Sequence, residues 1–163
     1  MLMRRYRLRI TALLALLLGA CASTPDYFAP ASLSDLGKAL VYIYRPAADN
    51  PGKKPLTTSY PEILVDGRGV GLLRYREHFS VELAPGTHEF VATGLTPDAR
   101  WEPQDRRYTL RVEAGKVYYL RFRVAFDTDS MTIGNMRGQY IITLHPMDAS
   151  DAIYQIRDTR PAS

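Results

Sequence analysis

Cysteine is almost missing from this chain. Cys21 stands alone among 163 residues, so no internal disulfide can form and the fold must rest on its core. Histidine is scarce as well: His78, His88 and His145 fall on separate segments, with no HExxH and no pair at metal-ligand spacing. Ser80 lies close to His78 but in no GxSxG elbow. The carboxylates Asp66, Glu82, Glu89, Asp105, Glu113, Asp127 and Asp129 are dispersed through turns and polar positions, and none can be paired at glycosidase distance. Asp127-Thr128-Asp129-Ser130 opens like a calcium loop but lacks the glycine and closing glutamate, and reads as a solvated turn. No catalytic residue, metal site or cofactor is therefore expected.

Long apolar runs are also lacking, with one short exception. Ile10 to Leu18 is apolar apart from Thr11, a helix length of about 14 Å against a bilayer core of about 30 Å. Too short to span, it follows Arg4, Arg5, Arg7 and Arg9 and precedes the small residues Gly19 and Ala20, the layout of a secretory signal over residues 1–20. Leu18-Gly19-Ala20-Cys21 resembles the bacterial lipobox, which implies cleavage before Cys21 and acylation of its sulfur and new amino group. Two acyl chains suffice for stable anchoring. Ala22 in place of Asp after the cysteine implies, by resemblance to the sorting rule, the outer membrane facing the periplasm.

An excess of one charge is the third absence. The whole chain carries +4, but all four basic residues of the first twenty are signal arginines. The remaining 17 basic residues balance 17 acidic ones, so the global positive charge that nucleic-acid binding needs is not there.

What is present is β-pattern. After Ala22–Gly37, rich in Ser, Pro and Ala and readable as a flexible lipidated tether over 21–37, short β-rich runs alternate with turns from Lys38 onward. Tyr27, Phe28, Leu33 and Leu36 give that tether an apolar alternative, docking on the domain. Leu40–Tyr44 is a continuous apolar strand ended by Arg45-Pro46. Ile63–Val65 and Val70–Leu73 flank Asp66-Gly67, a hairpin signal. Phe79–Leu83, His88–Thr93 and Tyr108–Val112 follow as strands. Period two places Tyr118, Leu120, Phe122, Val124 and Phe126 on a buried face, with Tyr119, Arg121 and Arg123 on a wet one. A last strand over Gln139–His145 turns Tyr140, Ile142 and Leu144 inward. Ala149, Ala152, Ile153 and Ile156 then recur at helical spacing, predicting a short helix over 149–157 capped by Asp148 or Ser150 and stopped by Pro161. The expectation is an all-β domain over 38–163, an antiparallel β-sandwich of about seven to eight strands with a short C-terminal helix.

Ala39-Leu40-Val41-Tyr42-Ile43-Tyr44-Arg45-Pro46, Val65-Asp66-Gly67 with Val70-Gly71, Phe79–His88 and Val112–Arg121 together resemble the bacterial family called domain of unknown function 2846. The order DG, VG, PG-x-H is also similar to PEGA domains, although Ala84-Pro85-Gly86-Thr87 departs from that tetrapeptide. The resemblance implies an all-β envelope lipoprotein domain and supplies no catalytic residues.

The segment most suited to contact a partner is Leu95–Arg107, a long loop in which Trp101 is flanked by Arg100, Arg106 and Arg107. Trp101 either meets a ligand or folds back over one end of the sandwich. Asn50–Ser59, with Lys53 and Lys54, reads as solvated. Tyr42, Tyr44 and Tyr119 are candidates for an exposed aromatic strip. The functional expectation is a non-catalytic envelope module, anchored in the membrane by its N-terminal lipid, that binds an envelope protein. The alternative is a module for peptidoglycan or lipopolysaccharide sugars using Trp101 and exposed tyrosines.

Overall fold

A computed structural model describes residues 28–47, 56–101, 104–127 and 139–163. Leu18, Gly19, Ala20, Cys21, Tyr27, Lys53, Lys54 and the Thr128–Ser130 turn lie outside the described residues. Within them run nine strands and one helix: β1 (Ala39–Arg45), β2 (Glu62–Val65), β3 (Arg68–Leu72), β4 (Glu77–Leu83), β5 (Gly86–Thr93), β6 (Arg106–Val112), β7 (Val117–Asp127), β8 (Gln139–Met147), α1 (Ala149–Ile156) and β9 (Arg160–Pro161).

The strands form two sheets, β8-β7-β1-β4-β9 and β3-β2-β5-β6, packed as an all-β sandwich. Not every pairing is antiparallel. β1 pairs parallel with β7 through Leu40↔Val117 to Tyr44↔Arg121, and β4 pairs parallel with β9. β1 lies at the centre of its sheet, parallel to β7 on one side and antiparallel to β4 on the other. Every residue of β1 is buried, as a continuous apolar run demands when both faces are covered.

Between the sheets lies the main core: Val41, Ile43, Ile63, Leu73, Phe90, Val112, Leu120, Phe122, Ile142 and Leu144 belong to one cluster. A second cluster lies on the other side of the five-stranded sheet. There Leu40, Tyr42, Tyr44 and Tyr119 meet Ala152 and Ile156 of α1, with Phe28, Leu33 and Met147 at the margin.

That second cluster corrects two sequence expectations and selects between the two alternatives for a third. Tyr119 is buried, because it packs in the cluster with α1 and Phe28, while Arg121 and Arg123 on the same face stay partly exposed. Tyr42, Tyr44 and Tyr119 form no exposed strip for the same reason. Phe28 and Leu33 dock, so residues 28–34 are laid along the sheet; the Ala31 amide donates to Tyr42 Oη at 2.7 Å, and Ser34 donates to the Glu82 carboxylate. Leu36 stays exposed.

Two smaller differences sit near the C-terminus. Tyr140 shares the face of Ile142 and Leu144 in the unbroken β7–β8 register but is exposed at the start of edge strand β8, while Ile142 and Leu144 are buried as expected. Pro161 does not stop the helix. Asp148 is its N-cap, without a side-chain bond, and α1 ends at Ile156, whose carbonyl accepts from both the amide and the hydroxyl of Thr159. Arg160-Pro161 then joins β4 at the sheet edge, where a residue without N–H is tolerated.

Candidate functional site

The β5–β6 loop does not gather its predicted residues. Trp101 is only 4% exposed and packs edge-to-face on Phe122, centroids 5.3 Å apart. Gly94 makes this possible: a Cβ there would stand 1.7 Å from the Trp101 carbonyl oxygen, so only glycine lets the loop close so tightly. Arg100 keeps its place by backbone, its carbonyl accepting from the Tyr60 amide at 2.9 Å. Arg106 crosses the sandwich and donates from Nε to the Ile142 carbonyl at 2.9 Å. Arg107 points elsewhere, between Asp105 at 3.0 Å and Glu89 at 3.3 Å. Trp101 thus caps the core, and Arg106 and Arg107 go to separate partners.

Beneath Trp101 lies a residue that the sequence did not single out. Arg45 is 1% exposed and donates to the carbonyls of Ser59 at 2.8 Å and Leu56 at 2.6 Å. Its guanidinium lies about 6 Å from the rings of Tyr75, Trp101 and Phe122. Burial pulls its pKa down to about 10, so it stays charged at neutral pH. Carbonyl acceptors and aromatic faces offset the desolvation. Its one sequence signal is position, as the charged end of an otherwise apolar strand.

The three imidazoles stay apart, each with its own partner. His78 meets Thr159 Oγ1 at 2.8 Å, and burial lowers its pKa. His145 meets Thr143, with burial and then Arg121 and Arg123 holding its pKa down. His88 bridges Asp66 at 2.6 Å and the Ala84 carbonyl at 2.8 Å. Burial opposes its charge, but those two acceptors outweigh it and raise the pKa. Asp66 is correspondingly lowered, first by His88 and then by the Glu89 amide. Asp66 and Gly67 both have positive φ, 50° and 76°, the type I′ turn that a two-residue hairpin prefers. The Asp66–His88 contact therefore staples the β2–β3 hairpin to the start of β5.

Two hollows flank β9. The first, of about 390 Å³, lies beside residues 28–31 and is lined by Phe28, Tyr42, His78, Ser80 and Pro161. Its wall is aromatic: Phe28 stands edge-on to Tyr42 at 5.2 Å and to His78 at 5.8 Å, while Tyr42 stacks on Tyr119 at 5.5 Å. Tyr44, further along β1, donates to Gln155 of α1, and burial raises its pKa to about 12. The second hollow, of about 430 Å³, is lined by Tyr75, Arg76, Arg157, Asp158, Thr159 and Arg160. Its wall is cationic. Sequence reasoning missed it because the β3–β4 turn and the α1–β9 link are about eighty residues apart.

A family described as "protein of unknown function (DUF2846)" has a model that matches residues 35–135. The chain belongs to that family. No curated protein matches the chain. The family match runs from just before β1 to beyond β7, so β8, α1 and β9 fall after it. In this member of DUF2846, the cationic hollow therefore joins one wall inside the matched region, Tyr75 and Arg76, to another outside it.

Proposed function

We propose that this DUF2846 protein is a lipid-anchored envelope protein whose sandwich works by binding and not by catalysis, with an envelope protein as partner. The observation that carries the reading is Leu18-Gly19-Ala20-Cys21 placed directly after a basic start and a nine-residue apolar run. Acylation of Cys21 would tether the domain closely. Seven peptide steps separate Cys21 from Phe28, which already rests on the sheet, and they reach at most about 25 Å. Such a tether raises the effective concentration of the domain toward anything at the membrane surface.

The covered aromatics favour this reading over sugar recognition. Trp101, Tyr42, Tyr44 and Tyr119 are all spent on packing, which leaves no stacking platform among the residues first considered for it. Cys21→Ser tests the anchor. Intact-mass measurement of the membrane fraction is expected to show the acyl increments on the wild-type chain and none on the variant. An unmodified thiol on wild-type protein recovered from the cytosol overturns the proposal. Crosslinking in intact cells tests the partner, and no captured envelope protein from any surface position would refute that half.

A further inference from the structure

We propose that the hollow between the β3–β4 turn and the α1–β9 link binds a phosphate group, carried on a lipid headgroup or free in solution. This rests on the binding-module reading of the domain, but not on acylation of Cys21.

Charge is the first support. Arg76, Arg157 and Arg160 line the hollow with one lining carboxylate, Asp158, and Glu77 stands against Arg160. Glu77 is buried and already engaged by Arg160 Nη2 at 3.0 Å. Asp158 sits 3.9 Å from Arg157 Nε, too far for a tight bond. One positive charge is left over, in a chain whose residues 21–163 carry no net charge. The negative end of α1 is close by, worth about half a charge, yet its last carbonyl is occupied by Thr159. The local field remains positive.

Geometry is the second support. Arg76 has φ +61°, an uncommon conformation for a residue with a long side chain. Its carbonyl accepts from the Arg160 amide at 3.0 Å, and its Nε donates to the Asp158 carbonyl at 2.9 Å. The guanidinium is thereby fixed through one edge, while its two terminal nitrogens have no acceptor among the described residues. Arg157 lies over the Tyr154 ring at 3.8 Å, which orients its plane and likewise leaves its terminal nitrogens for an incoming oxygen. Fixed guanidiniums with an open pair of N–H groups match phosphate oxygens in bidentate fashion. A strained turn that holds one of them is strain of the sort found at ligand clamps.

The test uses residues 21–163 carrying Cys21→Ser, so that neither an acyl chain nor the basic apolar segment 1–20 contributes. Inorganic phosphate is titrated while the side-chain Nε–Hε resonances of the arginines are followed, and sedimentation is measured with vesicles of phosphatidylglycerol and of phosphatidylcholine. Phosphate is expected to shift the Arg76 and Arg157 resonances. Arg157→Gln and Arg76→Gly should each weaken the interaction about fivefold, the usual effect of one arginine near an anionic surface. Glycine suits the positive φ at 76, so that variant keeps the turn and its thermal midpoint reports on folding independently. Sedimentation with phosphatidylglycerol alone, lost in both variants, identifies a headgroup as the source. Phosphate shifts without sedimentation identify a soluble phosphate. Unshifted arginine resonances, or vesicle binding that both variants retain, overturn the site.

Discussion

The two sheets of this sandwich solve the same problem in opposite ways. β6, at the edge of the four-stranded sheet, alternates strictly, with Arg107, Thr109 and Arg111 exposed and Tyr108 and Leu110 turned inward. β1, at the centre of the five-stranded sheet, buries every side chain. One sheet has a single core; the other is the wall between two. The difference teaches that burial on both faces requires a cover, and here the cover is assembled from the two ends of the domain, residues 28–34 and α1.

Substitutions should separate the two cores by size of effect. The largest loss is expected in the main core, where Trp101→Ala should cost about 3–5 kcal/mol by urea unfolding, with a cavity left over Phe122. In the outer core, Ile156→Ala should cost about 2–4 kcal/mol. Hydrogen exchange should show that loss first at α1 and β9, and simultaneous exposure of β5 and β6 would mean that the two cores are one. Phe28→Ala should cost only about 1 kcal/mol, the worth of an edge-on aromatic contact, and should free the Ala31 amide to exchange. Thr109→Ala, on the wet face of β6, should stay within about 0.5 kcal/mol.

The smallest expected effect is electrostatic and confined to the four-stranded sheet. Because the folded pKa of His88 is raised, its contribution is whole below the ordinary value of about 6.5 and is lost as pH rises through the raised one. Asp66 acts in the opposite sense, contributing above the ordinary carboxylate value of about 3.9 and losing that contribution as pH falls through its lowered one. Subtracting the stability profile of His88→Gln from that of the wild type should leave a difference that is largest between those limits. The gain stays small because the Asp66 side chain is half exposed. A flat difference across neutral pH would show that the staple is neutral.

Much of the sandwich was legible because its signals are local. Alternation in β6, the Asp66-Gly67 turn and the helical spacing of Ala152 with Ile156 each report on a few neighbouring residues, and the structure places them as that spacing implies. The continuous run of β1 held a further message, since an apolar strand without alternation must be covered twice, and the tyrosines within it were spent on that second cover. Long-range features were not legible. Nothing near Arg45 announces that Leu56 and Ser59 will turn their carbonyls toward it, and nothing near Arg76 announces Asp158. Trp101 illustrates the limit: its loop and its flanking arginines resemble an exposed contact, whereas the residue that decides its fate is Gly94, seven positions earlier.

Both ends of the described chain are fastened to β4, Ser34 through Glu82 and Arg160-Pro161 through Glu77 and His78. Tension applied through the N-terminus therefore meets Ser34, Ala31 and Phe28 before it meets any strand ladder. Those contacts act as a mechanical fuse. Peeling residues 28–34 away frees a segment of at most about 25 Å in contour while the sandwich remains folded, a step that single-molecule extension can resolve.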